Sequence, residues 1–205
     1  MCEHGEVSAA AEGSSTRERI LAAALAAFAE RGVEATSLDA VATAVGVRKQ
    51  TLLYWFPSKE QLLLGVVDHA VAELGARLTD AVLAAGPELD HRIVAVVDAT
   101  FRLGTTHPEL LAVVREVARL GPPASTRLAT SVEPVVSLAA AALARRSGDA
   151  VDEARGRSVL LGAGAQVVGI ATEAEVRADL GLPADLRWLR TRRRALLASL
   201  RASLA

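Results

Sequence analysis

The apolar residues of this 205-residue chain recur at helical spacing, and the helical stretches are separated by glycine and proline. Runs of β-branched residues with a period of two are missing, while Ala, Leu, Arg and Glu dominate the sequence. Such a pattern favours helices, because a half-buried strand requires alternation of apolar and polar residues. The sequence therefore predicts an all-α protein.

Capping residues and glycine stops place the first helices along the chain. Residues 1–14 are small and polar, which predicts a disordered tail. A capping box at residues 15–18 is expected to start the first helix, and Gly32 is expected to end it. Two short helices follow, the first capped near Ser37 and separated from the second by Gly46. A long fourth helix completes this part of the chain.

Two short helices joined by a tight glycine turn form a helix-turn-helix, the unit that places its second helix in the major groove of DNA. On a helical wheel, Leu52, Leu53 and Phe56 share the arc of the second helix that faces the core. The opposite arc carries amide, hydroxyl, guanidinium and aromatic groups without a carboxylate, which suits base edges and phosphates. The candidate DNA-binding residues on or beside this arc are Arg48, Lys49, Gln50, Thr51, Tyr54, Trp55 and Lys59.

The alternative interpretation of this segment is that its aromatic residues belong to the core and its lysines are merely solvated. Tyr54 and Trp55 are adjacent, and both cannot point inward beside Leu52 and Phe56 on so short a helix. The DNA-facing interpretation is therefore favoured.

Landmarks at fixed spacing run through residues 16–62, namely the Ile20–Phe28 stripe with Gly32, Thr36-Ser37, Val41-Ala42, Ala44-Val45-Gly46-Val47, Thr51-Leu52, Tyr54, Phe56, Ser58-Lys59-Glu60 and Leu62. Together they resemble the N-terminal domain of the tetracycline-repressor (TetR) family of bacterial transcription regulators. The resemblance implies that residues 47–56 form the recognition helix and that Ser37 and Lys59 hold phosphates. It also implies a three-helix DNA-binding domain at 15–62 and a helical effector-binding and dimerisation domain at 63–205.

The same resemblance implies a non-enzymatic regulator of transcription, most simply a repressor. Such a protein would bind a palindromic double-stranded DNA operator as a homodimer and be released by a small apolar or amphipathic effector. Four positions depart from the family pattern, because Arg48 replaces a capping Ser or Thr, Gln50 replaces a common Gly, Leu53 replaces a frequent Tyr and Trp55 replaces a frequent His. The runner-up is an all-helical binding or scaffold protein without DNA binding, and the acid-free window at 48–59 argues against it.

Five further helices are expected in the C-terminal part, at about 89–104, from Pro108 to Leu120, and at 124–146, 149–176 and 183–203. Their many Val, Leu and Ala residues suit an apolar interior that holds a small molecule. A plain packed helical core fits the same composition, and only the family resemblance favours a pocket. The residues that would line it are unknown from the sequence.

The glycine-rich segment at residues 161–169 is not a phosphate-binding loop, because no strand precedes it and the spacing differs. Small residues inside a helix allow close approach of a second helix, despite a cost near 1 kcal/mol per glycine. In the family, the last two long helices pair with their symmetry mates as a four-helix bundle. The candidate dimer-interface residues are Gly162, Gly164, Gly169, Leu189, Leu196 and Leu200.

The last helix is rich in arginine and has no acid from residue 187 onward. A second nucleic-acid surface would explain this composition. A solvated face whose charges favour the helix C-terminus is the simpler interpretation and is favoured.

Other classes of function find little support in the sequence. The four histidines have no metal-ligand spacing and the single cysteine is Cys2, so no metal site is expected. No nucleophile or nucleotide-binding motif is present, so neither enzyme activity nor a cofactor is expected. No secretory signal is evident, and the apolar stretches are judged too short or interrupted to span a bilayer. The expectation is a cytoplasmic protein, and its net charge of −1 requires any DNA-binding surface to be local.

Overall fold

The computed structural model describes residues 5–147 and 152–204 of the chain. Within these ranges the structure contains nine helices and no strand, so the all-α prediction is confirmed. The helices are α1 (Gly5–Arg31), α2 (Leu38–Val45), α3 (Lys49–Trp55), α4 (Lys59–Ala84), α5 (Leu89–Thr106), α6 (Pro108–Leu120), α7 (Ala124–Ser147), α8 (Glu153–Asp179) and α9 (Leu186–Leu204).

Packing divides the described chain into two compact units. Unit 1 consists of the described residues up to Ala70 together with Ala112–Leu128. Unit 2 consists of Val71–Leu111 together with the described residues from Ala129 onward. The predicted boundary between the DNA-binding and effector-binding domains at residue 62 stays a prediction. By packing, most of α6 and the first residues of α7, within Ala112–Leu128, belong to the N-terminal unit.

The first helix begins earlier than the sequence suggests. It starts at Gly5, whereas the capping box predicts a start at Ser15 and a disordered tail at 1–14. Residues 1–4 of that tail lie outside the described residues. Three consecutive alanines and two glutamates lie between residues 5 and 14, and these strong helix formers allow α1 to propagate past the capping box.

Buried side chains of α1 to α4 build the core of unit 1 and fix the position of α3. Ile20, Phe28 and Leu52 are each at most 1% exposed, which agrees with the predicted apolar stripe. The hydroxyl of buried Thr36 donates to backbone carbonyls of α1 and the following turn. Gly46 has a left-handed backbone with φ of 76° and its N–H caps α2, so the turn into α3 suits glycine.

The core of unit 2 joins α5, α8 and α9. Val97 of α5 and Leu196 and Leu197 of α9 are buried together, with Phe101 and Val167 packed against them. Ion pairs reinforce these contacts, since Arg193 binds Asp98 and Arg192 binds Glu173, and Arg201 donates two hydrogen bonds to the carboxylate of Asp90, at 2.7 and 2.8 Å.

The later helices begin where side chains cap them. The predicted start of the eighth helix at 149 lies outside the described residues, and α8 follows Asp152, whose carboxylate accepts the N–H of Arg155 at 2.7 Å. The ninth helix begins at Leu186 rather than Pro183, because Asp185 accepts the N–H of Trp188 at 2.9 Å. A side-chain cap of this kind marks the first turn of a helix.

Two helices are more apolar than the sequence analysis allowed. Residues Ala124–Arg145 and α8 are long and apolar enough to cross a membrane by length and composition, since each contains an 18-residue stretch with a mean hydropathy of 1.3. This corrects the expectation that every apolar stretch is too short, which overlooked how many Ala, Gly and Val residues these helices hold. One or two such helices are weak evidence for a membrane protein, and an apolar exposed face is also what a protein interface presents.

Candidate nucleic-acid interface

Helix α3 presents a polar, uncovered face. It runs over Lys49–Trp55, and its N-cap Arg48 has an extended backbone without a side-chain capping bond. Gln50 and Thr51 are exposed, and Tyr54 is 79% exposed. Leu52 on the opposite side is fully buried, as the helical wheel predicts.

The aromatic residues of α3 divide between the two sides of the helix. The rings of Tyr54 and Trp55 meet edge to face, with centroids 5.3 Å apart and an interplanar angle of 81°. Trp55 is half-buried and therefore supports the more exposed tyrosine. Phe56 is 4% exposed, with the guanidinium of Arg17 above its ring at 5.4 Å. The phenylalanine thus belongs to the core, as predicted.

Ser37 is the N-cap of α2. Its hydroxyl oxygen accepts the N–H of Ala40 at 3.1 Å, which satisfies one of the free donors of the first turn. The residue is exposed, so the start of α2 is accessible to an anion. A phosphate contact at Ser37 stays a prediction.

Both lysines among the candidate DNA-binding residues have partners within the chain. The ammonium of Lys49 lies 2.7 Å from the carboxylate of Asp39 in α2. The ammonium of Lys59 donates to the backbone carbonyl of Glu34 at 2.8 Å. Neither partner lies within residues 48–59, so the local sequence gave no signal for these contacts.

Replacing Lys59 with alanine should weaken binding to every DNA sequence alike. A phosphate contact carries no base information, so the slope of log affinity against log salt should fall by about one unit. Lys59→Arg keeps the charge and serves as the control with an unchanged slope. Titration of random and preferred DNA duplexes at several salt concentrations measures both effects. A changed base preference with an intact slope would contradict the phosphate role.

A carboxylate of α6 ties that helix to the turn after α1. Glu116 accepts the backbone N–H of Val33 at 3.2 Å and two hydrogen bonds from Arg119, each at 2.9 Å. The hydrogen bond from Arg119 is the main cause that holds the pKa of Glu116 below its ordinary value, with a smaller contribution from Val33. This contact lies within unit 1 and was not foreseen from the sequence, because the partners are far apart along the chain.

The predicted dimer-interface residues fall into two groups. A side chain added at Gly162, Gly164 or Gly169 would meet nothing within 4 Å, so this side of α8 is open. Leu196 is 2% exposed and belongs to the core of unit 2. Its assignment to the interface is wrong, because α9 turns this leucine towards α5 within the same chain. Leu189 and Leu200 are half-buried and stay predictions.

Two depressions among the described residues are both open to solvent rather than enclosed. One, of about 220 Å³, lies in unit 2 between α8 and α9 and is open to solvent, with Glu173 and Arg192 in its wall. The other, of about 260 Å³, lies in unit 1 between α1 and α6. Among the described residues no group of three or more His, Cys, Asp or Glu side chains could hold a metal ion.

The arginine-rich face of α9 is in part explained by its partners. Arg192, Arg193 and Arg201 pair with acids of α8 and α5. Arg187 and Arg194 are exposed. The simpler interpretation of this helix, in which its charges are paired or solvated, is thus favoured over a second nucleic-acid surface.

The N-terminal segment is similar to a known protein family. Residues 20–66 match the family model described as bacterial regulatory proteins, tetR family. The HTH-type transcriptional regulator RutR of Escherichia coli strain K12 is 44% identical over 54 residues, which is 26% of this chain and 26% of RutR. The match to the curated relatives thus spans about a quarter of their length, and the family-model match contains all of α2 and α3.

Solved structures extend the likeness to most of the fold. The fatty acid degradation regulator FadR from Bacillus halodurans aligns with a TM-score of 0.71 at 16% identity, over 88% of this chain and 94% of that one. A transcriptional regulator from Rhodococcus sp. Rha1 aligns with a TM-score of 0.72 at 20% identity, over 92% and 95%. Identities this low establish a shared fold and nothing beyond it.

Proposed function

We propose that this chain, whose N-terminal segment matches the family model of bacterial regulatory proteins, tetR family, is a cytoplasmic transcription regulator that reads DNA with α3. The most direct role is that of a repressor, bound to a palindromic operator as a homodimer. Each copy inserts α3 into a major groove, and a small apolar or amphipathic effector ends the binding. Regulators of this family are not enzymes.

The observation that carries the proposal is the uncovered face of α3. Gln50, Thr51 and Tyr54 stand exposed on a helix whose other side is anchored by fully buried Leu52. Amide, hydroxyl and phenol groups are what base edges and phosphates accept. A helix anchored in this way positions them rigidly, as base readout requires.

The proposal is tested by recovering the DNA that the protein binds. Purified protein incubated with fragmented genomic DNA should enrich a few fragments that share an inverted repeat. Footprinting of those fragments should then show two protected half-sites about one helical turn apart. Enrichment without a shared motif, or no enrichment at low salt, would contradict the proposed function. Genes beside the recovered site indicate which small molecules to test as effectors.

The homodimer is supported by an exposed stripe along α8. Leu161, Ala165, Gly169, Thr172 and Val176 recur at helical spacing, and all five are exposed, the leucine by 57% and Val176 by 51%. Small and apolar residues in such a row allow a second helix to approach closely. Gly162 lies beside this stripe and Gly164 at its edge, so Ala165 is the better position for a test.

Replacing Ala165 with glutamate should convert the dimer into monomers. The substitution places a charge at the centre of the stripe, where dimerisation would have to bury it without a partner. Because Ala165 is exposed in the single chain, helix content should persist. Light scattering measures the mass, and far-ultraviolet circular dichroism measures helicity. Ala165→Ser is the matched control and should remain dimeric, while a dimeric Ala165→Glu would move the interface away from this stripe.

A further inference from the structure

The acid-free face of α3 has an acidic neighbour from another helix. Asp39 lies in the first turn of α2, two residues after the N-cap Ser37. Its carboxylate lies 2.7 Å from the ammonium of Lys49, the first residue of α3. The two side chains are 64% and 47% exposed. The contact therefore joins the starts of the two helices of the helix-turn-helix at the protein surface.

This ion pair is unlike one that a core requires. An exposed pair contributes little to stability, and neither charge would be left unpaired in the interior if the other were removed. Asp39 also benefits from its place in the first turn of α2, where the helix dipole favours a negative charge. Both observations indicate that the contact is dispensable for folding and adjustable during binding.

Lys49 lies at the start of the proposed reading helix, where a free cation would strengthen DNA binding. Each phosphate that a cation neutralises releases condensed counterions, which is the source of sequence-independent affinity. An ammonium already bound to a carboxylate contributes little net charge, and the carboxylate itself repels phosphates. Asp39 thus weakens the electrostatic attraction between the start of the proposed reading helix and DNA phosphates.

We propose that Asp39 attenuates sequence-independent DNA binding by holding the ammonium of Lys49. The inference rests on the proposed DNA-binding function and adds a residue that limits it. A genome offers a vast excess of non-specific sites, so a lower affinity for random DNA leaves more protein available for its operator. Asp39 acts against every sequence alike and makes no base contact in this role.

The test measures the binding of a random-sequence DNA duplex to wild type and to Asp39→Asn at several salt concentrations. Asparagine keeps the shape and removes the charge. Affinity at low salt should rise by about threefold or more, and the salt slope should steepen by about 0.9, the value for one additional phosphate contact. Unchanged affinity and an unchanged salt slope would overturn the proposal. Weaker DNA binding with a lowered melting temperature would also overturn it, because the ion pair would then stabilise the fold.

Two further variants identify the cause. In a Lys49→Gln background the gain from Asp39→Asn should shrink, whereas an equal gain would show that Asp39 does not act through Lys49. Glu73→Gln is the matched control, since it also removes one exposed carboxylate, paired with Arg77 at 3.3 Å in unit 2. It should leave the slope unchanged, and an equal gain there would assign the effect to net charge and overturn the proposal.

Failure of this inference is distinguishable from failure of the proposed function. If wild type shows no salt-dependent binding to DNA, the proposed function fails. If wild type binds and selects an operator while Asp39→Asn behaves like wild type, only the role of Asp39 fails. If Asp39→Asn instead changes the preferred base at one position, Asp39 reads a base and the attenuating role is overturned.

Discussion

Replacing Leu52 with alanine should lower the free energy of unfolding by about 2–5 kcal/mol and abolish DNA binding. Leu52 is fully buried and is the one residue of α3 that is so among the described residues. A seven-residue helix is unstable in isolation, because the few hydrogen bonds of so short a helix do not offset the free-energy cost of nucleation. Helix α3 therefore depends on this side chain and on the adjoining Phe56 for its place in unit 1.

The neighbouring leucine provides the control for this substitution. Leu53 is half-buried on the same helix, so Leu53→Ala removes the same atoms from a site with less apolar surface to lose. Urea denaturation followed by circular dichroism compares the two variants. Equal losses of stability would mean that Leu52 does not anchor α3, and the account of how the reading helix is positioned would be wrong.

Replacing Gly65 with valine should have a comparable effect through overpacking. A Cβ atom at Gly65 would lie 2.7 Å from Cε1 of Phe56 and 3.2 Å from Cδ2 of Leu21. The Phe56 ring is buried directly after α3, so it can move only by shifting the end of the reading helix. We expect a loss of roughly 1–3 kcal/mol in stability and a larger loss in DNA affinity than stability alone explains.

A second glycine of α4 allows a matched comparison. At Gly75 a Cβ atom would meet only Cγ2 of Val135 at 3.8 Å, an ordinary contact. Gly75→Val should therefore be neutral or slightly stabilising, since valine has the higher helix propensity. Thermal unfolding and DNA titration of both variants decide the matter. Equal behaviour at the two positions would mean that the close approach of α4 to Phe56 has no consequence.

The local architecture of the N-terminal unit was predictable because its signals are local. Gly32 and Gly46 end α1 and α2 with left-handed backbones, and Ser37 caps α2. The division of α3 into a buried Leu52 side and an exposed Gln50 side follows from helical period alone. These features depend on residues within one turn of each other, which is the range over which a sequence pattern acts.

Contacts between distant residues escaped the sequence analysis. The carboxylate of Asp39 contacts Lys49 and the backbone carbonyl of Glu34 contacts Lys59 from outside the acid-free window. No local pattern relates groups that are 10 and 25 residues apart. Leu196 carries the same apolar signal whether it faces a core or a partner chain, so its burial within unit 2 could not be inferred from spacing. The capping box at residues 15–18 competes with strong helix formers before it, and those prevail.

The claim that α3 reads DNA is tested most directly by selecting preferred binding sites for wild type, Gln50→Ala and Arg48→Ala from a random library. Gln50 can bond to adenine through two atoms, a contact worth about 1–3 kcal/mol of discrimination. Loss of its side chain should relax the preference at one base pair per half-site, with nearly constant affinity for random DNA. Arg48→Ala should lose either one fixed guanine or part of the salt dependence. Unchanged preferences and unchanged salt slopes for both variants would mean that α3 is not the reading helix.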